Sequence, residues 1–269
     1  MRWSAHISWL FAERPYLERV GAARRAGFRT IESAWPEGAE ERSGLAAAVA
    51  EHGVAVALLN CPAGDTAGGE RGFVNDDSRR EEAERGFAET LALAGAIGAP
   101  GLNLLVGRAL PNVSDARQRA AVLAALRSFA PLAADAGVRI LLEPLNAIEN
   151  PGFLAPTPDA VVALIEDVGD DRIGLLLDVY HVARVGDDPA DAIARHGERI
   201  GHVQVSDHPG RGAPGTGQLD FAAIFERLAA SGYDGAVGLE YEPRGPTEPT
   251  LAFRHDSAVA SLIADRKDV

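Results

Sequence analysis

The chain has one cysteine and one methionine among its 269 residues, aromatics make up only 6%, and positive charge is short. With a single thiol, Cys61, no intrachain disulfide can form, so nothing asks for an oxidising compartment, and a buried structural role suits it better than nucleophilic chemistry. The first fifteen residues show no charged lead followed by an apolar run of secretory length, and no apolar stretch approaches the ~20 residues of a membrane span. Twenty-six basic residues stand against 39 acidic ones, for a formal net charge of -13. Such a chain repels phosphate backbones and anionic lipid heads. The expectation is a cytoplasmic protein with no nucleic-acid or membrane partner, for which a homo-oligomer is compatible. The sequon at Asn112, Val113 and Ser114 then reads as a helix entry.

What is abundant is apolar surface, 46% of residues, enough for a large core. Short apolar runs at 56–60, 102–106, 140–145, 173–177, 202–205 and 236–239 read as buried strands, with weaker ones at 4–8 and 30–33. Helical spacing lies between them: Val161, Leu164, Ile165 and Val168 follow a cap at Thr157 and Pro158, and Phe221, Ile224, Phe225 and Leu228 follow Asp220. Phe87, Leu91 and Ala94 repeat the pattern more weakly. Eight strand-plus-helix units in this length predict one closed (β/α)8 barrel over 1–269, ahead of an open doubly wound sheet. The Gly-rich connections 62–72 and 209–217 have the length of active-site loops. Gly210 to Gly215 matches a dinucleotide-binding string, but it lies late in the chain, contains Pro214 and opens no helix directly. It reads as a mobile loop, and no nucleotide cofactor is expected.

Function in a barrel gathers at the C-terminal ends of the strands. Those ends carry Glu143, Asp178, Gln204 and Glu240, each about one βα unit from the next. A single acid there is commonly solvated or paired with an arginine. Four oxygen donors in register converge, and three carboxylates so close repel one another unless a cation intervenes. One divalent ion resolves the conflict, and an all-oxygen set suits Mg, Mn or Co. His181 and Glu149 leave the same rim. His6, Glu32 and Asn60 end the first three strands, and Arg71 (beside Glu70) and Arg211 lie in the two long loops, suited to an anionic substrate.

Leu-Glu-Pro-Leu-Asn at 142–146, Asp-Val-Tyr-His at 178–181, Gly-His-Val-Gln-Val at 201–205 and Gly-Leu-Glu-Tyr-Glu-Pro at 238–243 together resemble the hydroxypyruvate isomerase family of the xylose isomerase-like barrels. The segments 4–11, 63–72 and 211–217 are similar too, so the likeness runs from the first strand through residue 243. It implies a metal held by Glu143, Asp178, Gln204 and Glu240, with Glu143 and Glu240 also transferring the proton. His181, Glu149, Arg71, Arg211, Glu70, Asn60 and His6 would surround a small 2-oxo acid or ketose. The implied reaction interconverts hydroxypyruvate and 2-hydroxy-3-oxopropanoate through an enediolate. The chain departs from the family pattern at Ala213 and Glu242, where relatives often carry Glu and Lys. Sister families isomerise 2-oxo-tetronates or epimerise ketoses at the 3-position. A metal-dependent endonuclease would require a histidine-rich site and a basic face, and a non-catalytic sugar-binding barrel leaves the glutamate pair without a purpose.

Overall fold

The strand-forming runs are buried on both faces: Thr30–Ser33, Ile173–Asp178 and Ala236–Leu239 are buried at every position, as a parallel sheet covered by helices requires. In the computed structural model, which describes residues 1–255 and 263, eight parallel strands close into a barrel. They are β1 (Arg2–His6), β2 (Thr30–Ser33), β3 (Ala55–Asn60), β4 (Gly101–Asn103), β5 (Arg139–Leu142), β6 (Ile173–Asp178), β7 (Ile200–Val205) and β8 (Ala236–Leu239). Each pairs with the next in sequence, and β1 pairs with β8. The helices around them are α1 (Glu18–Arg25), α2 (Ala39–His52), α3 (Arg80–Ile97), α4 (Asp115–Asp135), α5 (Pro158–Val168), α6 (Val179–Arg184), α7 (Pro189–His196) and α8 (Phe221–Ala230). No helix among the described residues is long and apolar enough to cross a membrane.

Local chemistry sets the helix starts. Thr157 accepts from the Ala160 N–H ahead of α5, with Pro158 at its first position, and Asp220 accepts from the Ala223 N–H ahead of α8. Ser114 of the sequon caps α4 in the same way. Two strands are shorter than the apolar runs suggest. The 140–145 run leaves the sheet after Leu142, because Pro144 has no N–H for a ladder. The 102–106 run ends as a strand at Asn103; Leu104 and Val106 beyond it stay buried, while Leu105 is half-buried and lines the cavity.

Strand alternation sorts the residues of the lumen. Leu58, Leu141 and Leu176 form a small cluster separate from the main core, and they come from β3, β5 and β6, so they meet inside the barrel. Two residues further along the chain stand Asn60 and Asp178, the last residues of β3 and β6, and Glu143, just past the end of β5. His202 leads likewise to Gln204, and Gly238 to Glu240. The apolar floor and the polar layer above it therefore follow from one period-two pattern.

Candidate active site

Three carboxylates crowd the upper lumen. Glu143 and Glu240 are each 7% exposed and Asp178 is fully buried. Asn103 Nδ2 donates to Glu143 Oε2 at 2.7 Å. Burial and repulsion from Glu240 and Asp178 nevertheless push the Glu143 carboxyl well above the usual range. Burial raises Asp178 as well, with the Arg211 and His181 charges opposing and Glu240 adding to it. Glu240 is raised by burial, and the Arg211 guanidinium works against this. Asp178 Oδ1 is engaged by the Tyr180 N–H at 2.8 Å, which turns Oδ2 toward the cluster.

Arg211 supplies the cationic partner. Its Nη2 donates to Glu240 Oε2 at 2.8 Å and to Asp178 Oδ2 at 3.2 Å, while the guanidinium packs against the Trp9 and Tyr180 rings, 4.6 and 4.9 Å from their centroids. Three acids facing it hold its proton more tightly than usual, although burial alone would loosen it. The loop that carries Arg211, expected to be mobile at 210–215, is tied to Asp207 by hydrogen bonds from its backbone. The buried Asp207 carboxylate accepts from the N–H groups of His208, Gly215, Gly217 and Leu219. Four bonds to one charge hold the turn. The Glu242 N–H, at one of the departures from the family pattern, donates to the Arg211 carbonyl at 2.8 Å.

His181 faces the acids with Nε2, 3.7 Å from both Glu143 Oε1 and Asp178 Oδ2. Burial holds its pKa down at about 4, so it is neutral near pH 7. Its Nδ1 takes hydrogen bonds from the Asn146 main-chain N–H at 3.2 Å and the Asn146 side-chain amide at 2.7 Å. A nitrogen that accepts twice carries no proton, which leaves the N–H on Nε2. Glu143, Asp178 and His181 offer ligand atoms within 4.8 Å of one another and could hold a metal ion. In this tautomer His181 is instead a donor toward whatever lies between the acids.

A cavity of about 520 Å³ opens over this cluster, lined by Trp9, Trp35, Asn60, Arg71, Glu149 and Asn150 among others, together with Glu143, His181, Arg211 and Glu240. Arg71 donates through Nε to Asn150 Oδ1 at 3.1 Å and through Nη1 to the Thr66 and Glu70 carbonyls, so Nη2 lies outside these contacts. Glu149 accepts from Tyr180 Oη at 2.5 Å and Arg184 Nε at 3.0 Å; these bonds hold it below the usual range although burial pulls the other way. Glu70 is not among the lining residues. Its carboxylate is taken by Arg79 and by the Asp65 N–H, and it staples the 62–72 loop. His6 sits deeper, fully buried, with Nε2 3.5 Å from Glu240 Oε1 and its pKa lowered by burial to about 4.

Gln204 pairs in register with Asp178. Its Nε2 donates to Glu32 Oε2 at 2.9 Å, and its Oε1 is buried with no hydrogen-bond partner among the described residues. An orphaned oxygen beside three repelling carboxylates fits a cation ligand. Glu32 lies below the usual carboxylate range, because His202, His6 and Gln204 outweigh the effect of burial. Asn103 and His202 escaped the sequence reading. Placing the end of β4 at residue 106 hid Asn103, and the i+2 step back from Gln204 was the signal for His202.

The family model of the xylose isomerase-like TIM barrel matches residues 20–260. The hydroxypyruvate isomerase of Escherichia coli is 35% identical over 256 residues, covering 94% of this chain and 98% of its own. The 2-oxo-tetronate isomerase of Cupriavidus necator is 34% identical over 94% of this chain and 96% of its own. Among solved structures, one described as AP endonuclease, family 2, from Brucella melitensis superposes with a TM-score of 0.90 at 30% identity, covering 95% of this chain and 98% of that one.

Proposed function

The chain belongs to the hydroxypyruvate isomerase family of xylose isomerase-like TIM barrels and is an isomerase, and from that premise we propose that it interconverts hydroxypyruvate and 2-hydroxy-3-oxopropanoate. The observation that carries this reading is the pair Glu143 and Glu240, buried on either side of Asp178 and Gln204 and crowded together, so that burial and mutual repulsion favour uptake of a proton or a cation. One of the two removes a proton from C3 of hydroxypyruvate, giving an enediolate. The other delivers a proton to C2, and the hydroxyl proton passes from O3 to O2, so the two products differ only in where hydrogen sits. The Nε2–H of His181, fixed by Asn146, donates to the developing oxyanion.

Glu143, Asp178, Gln204 and Glu240 would hold one divalent ion, Mg, Mn or Co. When bound, it polarises the carbonyl and hydroxyl oxygens and stabilises the negative charge that develops. Arg71 and Arg211 supply the positive charge for the substrate carboxylate, Arg71 through its Nη2, while the Trp9 and Tyr180 rings hold the Arg211 guanidinium in place. A longer substrate, a four-carbon 2-oxo-tetronate, is the second reading. A cavity of about 520 Å³ is roomy for a three-carbon acid. A nucleic-acid substrate is opposed by the net charge of -13.

Proton NMR in D2O with Mg or Mn tests the choice. Hydroxypyruvate should convert with deuterium incorporated at carbon, faster than a 2-oxo-tetronate or a ketohexose, and Glu240→Gln should lower kcat by at least roughly 100-fold. Conversion of the tetronate alone would select the second reading, and near-normal kcat in Glu240→Gln would remove that residue from the proton path.

A further inference from the structure

Beneath the acids lies a second polar group that the proton transfer does not use. Glu32, from β2, is completely buried, yet its Oε2 receives the His202 ring at 3.0 Å and the Gln204 amide at 2.9 Å. Both partners belong to β7, which is not a neighbour of β2, so the contacts span the lumen. Room for the carboxylate comes from Gly238 on β8. A Cβ built there would lie 2.5 Å from Glu32 Cδ and nearer still to Oε1. The pairing of β2 with β3 also shifts register between Ile31 and Glu32, with the extra residue on β3. Three strands are shaped around one acid.

The consequence falls on Gln204. The Gln204 amide presents its nitrogen to Glu32, donating from Nε2 to an Oε2 that also takes the His202 ring, and the opposite orientation would set two oxygens against each other. With Nε2 fixed there, Oε1 is the arm left over, buried without a partner and level with Asp178 in the β6–β7 register. We propose that Glu32 is a positioning residue: with His202 at its side, it locks the Gln204 amide so that oxygen faces the divalent ion. The charge of Glu32 stays one residue away from the ion, which receives a neutral donor from β7 in place of a fourth carboxylate. This assignment rests on the metal reading above.

Titration calorimetry of the full chain with Mn2+, paired with thermal melts in EDTA, tests it through binding and without turnover. Wild-type protein should bind one Mn2+. Glu32→Ala should weaken binding by roughly 10- to 100-fold, the usual cost of losing a group that orients a metal ligand. Gln204→Glu alone should also bind weakly and melt low, because two acids then face each other. The double variant E32Q/Q204E reverses donor and acceptor across the same contact, and its Mn2+ affinity should return to within about threefold of wild type, an interaction that single losses cannot produce. If Glu32→Ala melts lower but keeps wild-type Mn2+ affinity, Glu32 is only structural and the proposal fails. It fails equally if the double variant binds no better than Gln204→Glu. Absence of Mn2+ binding by wild-type protein would overturn the metal reading itself, a result distinct from either of those.

Discussion

Replacing Gly238 with alanine adds one carbon to the most crowded point in the lumen. The new Cβ would stand 2.5 Å from Glu32 Cδ and nearer still to its Oε1, and that carboxylate is fully buried. Two relaxations exist. The β8 backbone can move outward, which strains its pairing with β1 and β7, and overpacking of this kind costs about 1–3 kcal/mol. Alternatively Glu32 swings away and gives up its bonds to His202 and Gln204, worth about 1.5–3 kcal/mol each as bonds to a charged group. The cheaper route sets the loss at about 1–3 kcal/mol, and at roughly 2–4 °C per kcal/mol for a chain near this size the melting temperature should fall by about 2–12 °C. A thermal melt in EDTA measures this directly. Gly95 is the control: it lies inside α3 with nothing within 4 Å of an added Cβ, so Gly95→Ala should gain about 0.5–1 kcal/mol and melt slightly higher. If Gly238→Ala melted within about 2 °C of wild type, the barrel would have slack where the contacts indicate none, and the account of Glu32 would lose its steric basis.

Mn2+ at a hundred times its dissociation constant should stabilise the folded chain by about 2.7 kcal/mol, read as a rise in melting temperature of about 5–11 °C that EDTA reverses; no rise would count against ion binding. Arg71→Ala should cost about 10- to 100-fold in kcat/KM on hydroxypyruvate and little on an uncharged ketose, and equal losses on both would assign Arg71 to holding the 62–72 loop. Burial lowers both His6 and His181 to about 4, whereas in the unfolded chain they take up protons near 6.5. Their contribution is therefore complete above pH 6.5 and is lost as pH falls toward 4, at full effect roughly 3 kcal/mol each. Urea midpoints across that window should drop, and His6→Gln should flatten the slope; an unchanged slope would mean that His6 is not held neutral.

The parts of the fold written in short-range pattern were legible in the sequence. The caps at Thr157 and Asp220 and the spans of β2 and β8 depend on neighbouring residues, and they stand where the pattern put them. The placement of Glu143, Asp178, Gln204 and Glu240 at the ends of successive strands was visible because strand ends recur at a regular interval. What composition and period could not reveal was direction. Glu70 looked ready for a substrate, yet Arg79 holds it outside the cavity, and Arg211, which does line the cavity, is already bonded to Asp178 and Glu240. Whether a loop arginine meets a ligand or a neighbour depends on distances that only the closed barrel creates. The bond from Glu32 to Gln204 joins residues 172 positions apart, beyond the reach of any window along the chain.

The Asp207 carboxylate, with its four N–H donors, fixes one side of the barrel rim to a single buried charge, whereas the 62–72 loop is held mostly by contacts within itself. Arg211 rides on the fixed side, so its place over the acids is set before any ligand arrives. Across the mouth, the 62–72 loop carries Arg71 on contacts to Asn150 and to the Thr66 carbonyl, and the Asp65 N–H donates to the carboxylate of Glu70, a partner within the same loop. Laboratory evolution toward a larger or differently charged substrate would therefore find its productive mutations within 62–72. Changes at Asp207 would loosen the cationic anchor for every substrate alike.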